Sequence, residues 1–143
     1  MLVRAMGLNL NRGNNTIYHD VQVKDWYFEV ITTASAAGLL EGYEDGNFRP
    51  NDKMSREQMA VLFDRAIRLS GQFDVLANKQ SGTAFKDWTK VSKWAQTGVA
   101  TSTQFGILQG QSEGELTPEG LVTRAQAATA IKRFLIQAKW LNE

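Results

Sequence analysis

Apolar residues recur at helical spacing in two stretches of the chain, one in each half. Each stretch is preceded by a hydroxyl residue with a glutamine three positions later, which is the pattern of a helix capping box. The caps are Ser55 and Thr123. The apolar positions then follow i, i+3, i+4, i+7, i+8 spacing: Met59, Leu62, Phe63, Ala66 and Ile67, then Ala127, Ala130, Ile131, Phe134 and Leu135. This pattern predicts two amphipathic helices that begin at Arg56 and Arg124.

A second pair of helices is predicted upstream, each led by a tryptophan. The first begins near Asp25, with one stripe formed by Trp26, Val30, Ile31, Ala34 and Ala37. Trp94, Gly98, Val99 and Ser102 occupy the same stripe in the second half. A tryptophan that opens an amphipathic helix is expected in the core. Gly38 and Gly106 stand where a helix end favours the left-handed conformation.

The two halves are copies of one unit. With an offset of 68 residues, many identical residues coincide, among them Gly42 with Gly110, Gly46 with Gly114, Pro50 with Pro118, Arg56 with Arg124, Gln58 with Gln126, Ala60 with Ala128 and Arg65 with Arg133. Repetition at fixed spacing is the mark of a repeat architecture. We therefore predict an all-α fold of helix–loop–helix units.

The repeats set the expected boundaries along the chain. Residues 18–69 and 85–143 form the two repeats, and residues 70–84 connect them. Residues 1–17 are expected to hold the tail of a preceding repeat and a connector, because Leu2 to Leu8 parallels Phe63 to Leu69.

Composition narrows the classes of function. Sixteen basic and fifteen acidic residues give a formal charge of +1, whereas a nucleic-acid-binding protein usually has a basic excess. The chain has no cysteine and one histidine, so thiol chemistry and a cysteine zinc site are excluded. No apolar run reaches the roughly 20 residues of a membrane-spanning helix. The opening MLVRAMGL does not match a signal peptide, so an export signal is expected on a part outside this chain.

The spacing of aromatic, glycine, proline and arginine positions that the two copies share resembles the S-layer homology family. Its repeat has an F-x-D-V opening, a tryptophan-led helix, a loop of the form G-x-x-G-x-x-D-G-x-F-x-P and a T-R-A-E-like helix start. The first copy supplies Tyr18, Asp20, Val21, Trp26, Gly38, Gly42, Asp45, Gly46, Phe48, Pro50 and Ser55 to Gln58. The second supplies Phe85, Asp87, Trp94, Gly106, Gly110, Gly114, Leu116, Pro118 and Thr123 to Gln126. Three departures from the family pattern are Gln58 and Gln126 in place of Glu, a second loop with Glu113 in place of Asp and Leu116 in place of Phe, and a truncated first repeat that is expected to leave one groove incomplete or supplied by another chain.

The resemblance implies a fold and a partner. Members of the family usually carry three repeats about a pseudo-threefold axis, so this chain is expected to be a partial bundle or one that another chain completes. They anchor proteins at the bacterial cell surface by binding secondary cell-wall polysaccharide, often with a pyruvate ketal on N-acetylmannosamine. The grooves lie between repeats, and the arginine of the T-R-A-E motif is central. An extracellular location at the cell wall or S-layer follows.

The residues suggest how such a ligand would be held. A pyruvate ketal presents a carboxylate, and a helix N-terminus with an adjacent arginine offers N–H groups and a bidentate partner. We expect this at Arg56 and Arg124. The alternative is that each arginine only pairs with Asp20 or Asp87 and ties two segments of the chain together. The other candidate ligand-binding residues are Gly42, Gly46, Gly110 and Gly114 in the loops, the caps Ser55 and Thr123, Tyr43, and the indoles of Trp26 and Trp94.

Two other functions remain open, and no cofactor or metal is expected. One is a protein-interaction scaffold, including a homo-oligomer that completes the missing repeat. A wall-degrading enzyme would require a carboxylate pair, for which Asp45 with Glu57 or Asp52 is available; Glu57 becomes Ala125 in the second copy. A calcium loop at 41–52 is rejected because Tyr43 and Asp52 occupy the positions of essential ligands.

Overall fold

The computed structural model describes residues 1–10, 13, 17–71, 85–111 and 114–140. In these ranges the regular elements are five α-helices: α1 Leu2–Ala5, α2 Phe28–Ala36, α3 Arg56–Leu69, α4 Gln96–Gln104 and α5 Arg124–Gln137. Two 3-10 turns, Trp88–Lys90 and Lys93–Ala95, precede α4. The described ranges contain no strand, and Ser55 with Leu121 forms an isolated antiparallel bridge. The all-α prediction is confirmed, whereas the pseudo-threefold arrangement stays a prediction.

Helices α3 and α5 begin where the capping boxes predict. The Ser55 hydroxyl accepts the Gln58 N–H at 3.2 Å, and the Gln58 side chain accepts the Ser55 N–H at 2.8 Å. Thr123 and Gln126 repeat the pair at 3.2 and 2.9 Å. The reciprocal bonds satisfy two backbone groups at each helix start.

The chain forms two compact units, residues 1–52 and 53–143. In the first unit, α2 contacts α1, and the core collects Tyr18, Val21, Phe28 and Ile31. The half-buried Phe48 folds back from the loop, with its ring 5.3 Å from that of Tyr18. The loop of this unit is therefore anchored on the same core as the helix.

In the second unit, α3 packs closely along α4 because α4 presents small residues. A Cβ on Gly98 would lie 2.8 Å from the Val61 Cα, and the Ser102 hydroxyl donates to the Ala60 carbonyl at 2.7 Å. The rings of Phe63 and Phe134 lie 5.9 Å apart and join α3 to α5. Leu116 is fully buried, as expected for a loop anchor.

The predicted burial of the two tryptophans is wrong. Trp26 is 88% exposed and Trp94 is 58% exposed. Helix α2 begins only at Phe28, which takes the buried position, and Ala95 takes it beside Trp94. Both indoles therefore lie on turns before the helices and outside the packed stripe.

The remaining helix ends agree with expectation. Gly38 and Gly106 have φ of 71° and 68°. None of the helices in the described ranges is both long and apolar enough to span a membrane. Most of the predicted connector, residues 72–84, and the loop substitution Glu113 lie outside the described residues.

Candidate functional site

An aspartate from the opening motif of each repeat holds the loop that follows. In the second unit the Asp87 carboxylate accepts the N–H groups of Leu116 and Thr117, both at 2.8 Å. Burial raises the pKa of the Asp87 carboxyl, but the backbone N–H donors of Leu116, Thr117 and Asp87 itself, together with the charge of Lys90, hold the pKa below its ordinary value. Both carboxylate oxygens of Asp87 therefore accept hydrogen bonds from the loop of the same repeat.

Asp20 does the same in the first unit. Its carboxylate accepts the N–H groups of Phe48 and Arg49, both at 2.7 Å. Burial raises its pKa, and the two N–H donors again bring the pKa below the ordinary value. Within the described contacts of the second unit, Asp87 forms no ion pair with Arg56, although burial lowers the pKa of the Arg56 guanidinium and the nearby charge of Asp87 acts in the opposite direction.

The four candidate loop glycines are each required by the loop itself. A Cβ on Gly42 would overlap the Tyr18 ring, and one on Gly110 would lie 3.2 Å from the Phe85 ring. The other two adopt left-handed backbone, Gly46 with φ 78° and Gly114 with φ 80°. Glycine avoids the steric cost of that conformation. Their structural role is shown, and a role in binding stays a prediction.

Arg56 is the best-defined residue of the candidate site. The side chain is only 4% exposed. Its Nε donates to the Leu116 carbonyl at 2.7 Å, and one Nη2 hydrogen donates to the Gln109 carbonyl at 2.6 Å. Burial lowers the pKa of the guanidinium and the nearby Asp87 partly offsets this, but an arginine stays charged in proteins. The second repeat therefore fixes an arginine contributed by the first.

The expectation of free N–H groups at the start of α3 is wrong. The Arg56 N–H donates to the Gly120 carbonyl at 2.9 Å, and the Glu57 N–H donates to the Pro118 carbonyl at 3.0 Å. The Ser55 hydroxyl takes the third N–H. These donors are used because the loop of the second repeat packs across the first turn of α3.

Arg124 has the same position in sequence but a different environment. It is exposed at the first position of α5, and no hydrogen bond of its side chain occurs within the described part of the chain. The two arginines are therefore not equivalent, although the sequence treats them as a pair.

A cavity of about 400 Å³ opens beside Arg56 within the second unit. Its polar lining comprises two guanidinium groups, three side-chain amides and one hydroxyl: Arg56, Arg133, Gln109, Gln111, Gln126 and Thr129. No carboxylate belongs to the described residues that line it. Such a lining favours an anionic, hydroxyl-rich ligand.

Sequence reasoning missed Arg133 and the glutamines of this cavity. The Arg133 Nη1 donates to the Ile107 carbonyl at 3.4 Å, a long bond that leaves the guanidinium at the cavity wall. Arg133 is a repeated position, matched by Arg65, but repetition alone did not distinguish a lining residue from a structural one.

Of the other predicted candidates in the second unit, Gly110 also lines the cavity, whereas Ser55, Thr123, Trp94 and Gly114 do not. Ser55 and Thr123 are helix caps. In the first unit, Tyr43 is 40% exposed. The Arg49 guanidinium lies 4.2 Å from the centre of its ring.

Arg49 also pairs with Asp45 at 2.9 Å. Hydrogen bonds from the Arg49 side chain and from Asn47 lower the pKa of Asp45 to about 2. This surface cluster is local to the first loop.

One carboxylate considered for the enzymatic alternative, Glu57, is held by hydrogen bonds within its own unit. Glu57 is 5% exposed. Its two oxygens accept the Ser92 N–H at 3.0 Å and the Ser92 hydroxyl at 2.9 Å. Among the described residues, no cluster of three or more His, Asp or Glu side chains suits a metal ion.

Comparison with known proteins agrees with this architecture. The family model described as S-layer homology domain matches residues 17–60 and 84–128. The chain is 36% identical over 122 residues to the exoglucanase XynX of Acetivibrio thermocellus, covering 85% of this chain and 11% of that protein. It is 37% identical over 119 residues to an amylopullulanase of Thermoanaerobacterium thermosulfurigenes, covering 82% and 6%.

A third relative is named for anchoring. The cellulosome-anchoring protein of Acetivibrio thermocellus is 34% identical over 103 residues, covering 72% of this chain and 22% of that protein. The chain spans a small fraction of all three relatives, so the enzymatic names of the first two do not describe it. The predicted family, anchoring role and extracellular location are confirmed at this level. The chain belongs to the S-layer homology domain family and is a cell-surface anchoring module.

Proposed function

We propose that the cavity beside Arg56 binds an acidic secondary cell-wall polysaccharide, with a pyruvylated N-acetylmannosamine as the recognised residue. The observation that carries the proposal is the lining: two guanidinium groups and no carboxylate among the described residues. A small carboxylate entering this space would meet cations on the α3 and α5 sides.

Arg56 supplies the fixed charge in this proposal. Two of its five N–H donors are held by carbonyl groups, so the side chain is already ordered before a ligand binds. In the proposal, the remaining donors bind the carboxylate. Arg133 supplies a second cation. The amides of Gln109, Gln111 and Gln126 offer donors and acceptors for sugar hydroxyl and N-acetyl groups.

Arg124 is proposed as a weaker contact. An exposed guanidinium is screened by solvent, and such pairs contribute about 0–1 kcal/mol. We therefore expect Arg124→Gln to weaken wall binding less than tenfold. The candidate glycines, Tyr43 and the two aspartates act in this proposal through the shape of their loops.

The test is co-sedimentation of the intact chain with purified cell walls before and after chemical removal of pyruvate. Arg133→Gln removes a cavity cation that makes only one long internal bond, so it separates binding from folding. We expect binding to weaken about 10- to 100-fold, the effect of losing a charge-assisted bond. Arg56→Gln is expected to weaken binding at least as much, with thermal unfolding measured alongside.

Arg68→Gln is the matched control, because Arg68 lies on α3 outside the cavity lining and pairs with the buried Asp64 at 3.1 Å; its thermal unfolding is measured as well. Its wall binding should equal that of the unchanged protein. Undiminished binding by both cavity variants, or equal binding to depyruvylated walls, would refute the proposed ligand and leave the scaffold alternative.

A further inference from the structure

A short segment of the second unit presents three lysines and a tryptophan to solvent from a fixed backbone. We call residues 86–94 the cationic strip. Lys86, Lys90, Lys93 and Trp94 are exposed. Buried residues alternate with them: Asp87 is 6% exposed, Val91 is 4% exposed, and Ala95, directly after the strip, is fully buried.

Hydrogen bonds hold the strip in place at both ends. Asp87 binds the N–H groups of Leu116 and Thr117, and Ser92 is held by both oxygens of Glu57. Two 3-10 turns shape the backbone between and beyond these points. The exposed side chains therefore project from a rigid support, which lowers the entropic cost of contacting a ligand.

The first repeat shows that the fold does not require these lysines. Its equivalent segment, residues 19–26, keeps the loop-holding aspartate and a buried valine, Val21 at 1% exposure. It carries one lysine and two aspartates, where the strip carries three lysines and one aspartate. The lysines are therefore not needed for the structural role that the two segments share, and their positive charge attracts acidic ligands.

The strip adjoins the Arg56 cavity through one peptide group. The peptide between Leu116 and Thr117 donates its N–H to Asp87 and accepts Arg56 Nε at its carbonyl. Lys86 extends over the same loop, with its Cε 3.9 Å from where a Cβ on Gly114 would lie. An extended chain leaving the cavity across this loop would meet the strip.

We propose that the cationic strip is a second contact surface for the same acidic polysaccharide, binding sugar residues outside the cavity. In this arrangement the lysine ammonium groups pair with acidic substituents along the polymer. The Trp94 indole packs against the apolar face of a sugar ring, where its large surface gains most from losing water. The inference rests on the proposed function, because it takes the polymer bound at Arg56 as its ligand.

The test compares ligand lengths. The probes are purified wall polysaccharide and its pyruvylated monosaccharide, titrated against the intact chain by calorimetry at low and high salt. The triple variant Lys86→Gln, Lys90→Gln and Lys93→Gln should bind the polymer about tenfold more weakly at low salt and lose most of the salt dependence. Its affinity for the monosaccharide should stay unchanged. Trp94→Ala should weaken polymer binding several-fold at either salt concentration.

Matched controls are Lys53→Gln and Lys132→Gln, two exposed lysines of the same unit outside the strip. They should leave both affinities unchanged. Equal loss of polymer affinity in the controls would overturn the strip and indicate a general charge effect, as would an unaltered triple variant.

The two proposals fail differently. If Arg56→Gln and Arg133→Gln bind both probes normally, the cavity assignment is wrong, whereas a polymer-only loss in the triple variant would still support the strip. Tighter binding of the strip to duplex DNA than to the polysaccharide at equal salt would overturn the choice of ligand.

Discussion

Arg56 and Asp87 bind opposite sides of a single peptide group. The N–H of Thr117 donates to the Asp87 carboxylate at 2.8 Å, and the Leu116 carbonyl of the same peptide accepts Arg56 Nε at 2.7 Å. Hydrogen bonds in such a chain polarise one another and strengthen together. The residue that holds the loop therefore also helps to fix the guanidinium of the candidate site.

Replacing this aspartate should affect folding and binding together. We expect Asp87→Asn to lower the free energy of unfolding by about 1–3 kcal/mol, because a neutral amide cannot accept both N–H groups as a carboxylate does. Wall binding should weaken as well, since the Leu116 carbonyl no longer holds Arg56 in place. Urea denaturation and co-sedimentation measure the two effects.

Glu119→Gln is the control for removing one negative charge, because Glu119 is exposed in the same loop. It should leave both measurements unchanged. Full stability and full binding in Asp87→Asn would contradict the coupling.

The same carboxylates predict an acid dependence of stability. The pKa values of Asp20 and Asp87 in the folded chain lie below the ordinary 3.8. Their contribution is therefore fully present above the unfolded value and is lost as the pH falls through the folded values. Thermal unfolding between pH 2 and pH 6 should show a melting temperature that falls below about pH 4.

The double variant Asp20→Asn and Asp87→Asn should show a lower melting temperature near neutral pH. Its melting temperature should also fall less steeply as the pH is lowered below about 4. If the melting temperature of the double variant falls as steeply with acid as that of the unchanged protein, other carboxyl groups cause the pH dependence.

A hydroxyl pair of the first unit is missing from the second. The Tyr18 hydroxyl lies 2.9 Å from the Ser35 hydroxyl oxygen. The matching positions are Phe85 and Thr103, and the Thr103 hydroxyl is buried with no hydrogen-bond partner among the described atoms. We expect Phe85→Tyr to supply the partner and raise the free energy of unfolding by about 0.5–1.5 kcal/mol.

Tyr18→Phe is the reciprocal change and should destabilise by a similar amount. Chemical denaturation of both variants checks the pair. A Phe85→Tyr protein less stable than the unchanged chain would mean that the added oxygen does not fit beside Thr103.

The fourth prediction concerns Glu57, whose carboxylate holds Ser92 of the cationic strip through two hydrogen bonds. Glu57→Ala removes both acceptors of Ser92, so we expect a loss of about 1–3 kcal/mol in the free energy of unfolding. Hydrogen exchange at the Ser92 amide should become faster. An exchange rate at Ser92 that does not change would show that the turn is held by other contacts.

Local sequence signals predicted local structure well. Capping boxes placed the starts of α3 and α5, and Gly38 and Gly106 marked two helix ends with left-handed backbone. These features depend on residues within a few positions of one another, which a pattern can report.

Local sequence patterns did not predict the contacts between the two repeats. The occupation of the first α3 N–H groups depends on carbonyl groups of Pro118 and Gly120, more than sixty positions away. The exposure of Trp26 depends on where α2 starts, which the apolar spacing left two or three residues uncertain. Arg133 was recognised as repeated and not as a cavity residue, because periodicity does not tell which partner a helix face meets.

Carbonyl oxygens of the second repeat accept the first N–H groups of α3, although α3 belongs to the first repeat by sequence. The compact units therefore divide before α3, whereas the sequence repeats divide after it. A fragment of residues 18–69 alone would expose the first N–H groups of α3 to water. It would also lose the carbonyl groups that accept hydrogen bonds from the Arg56 side chain. A fragment beginning at Lys53 would keep both sets of hydrogen bonds. In an engineered array of such repeats, the loop of each added repeat would pair with the second helix of the repeat before it. The second helix of the last repeat would have no such partner.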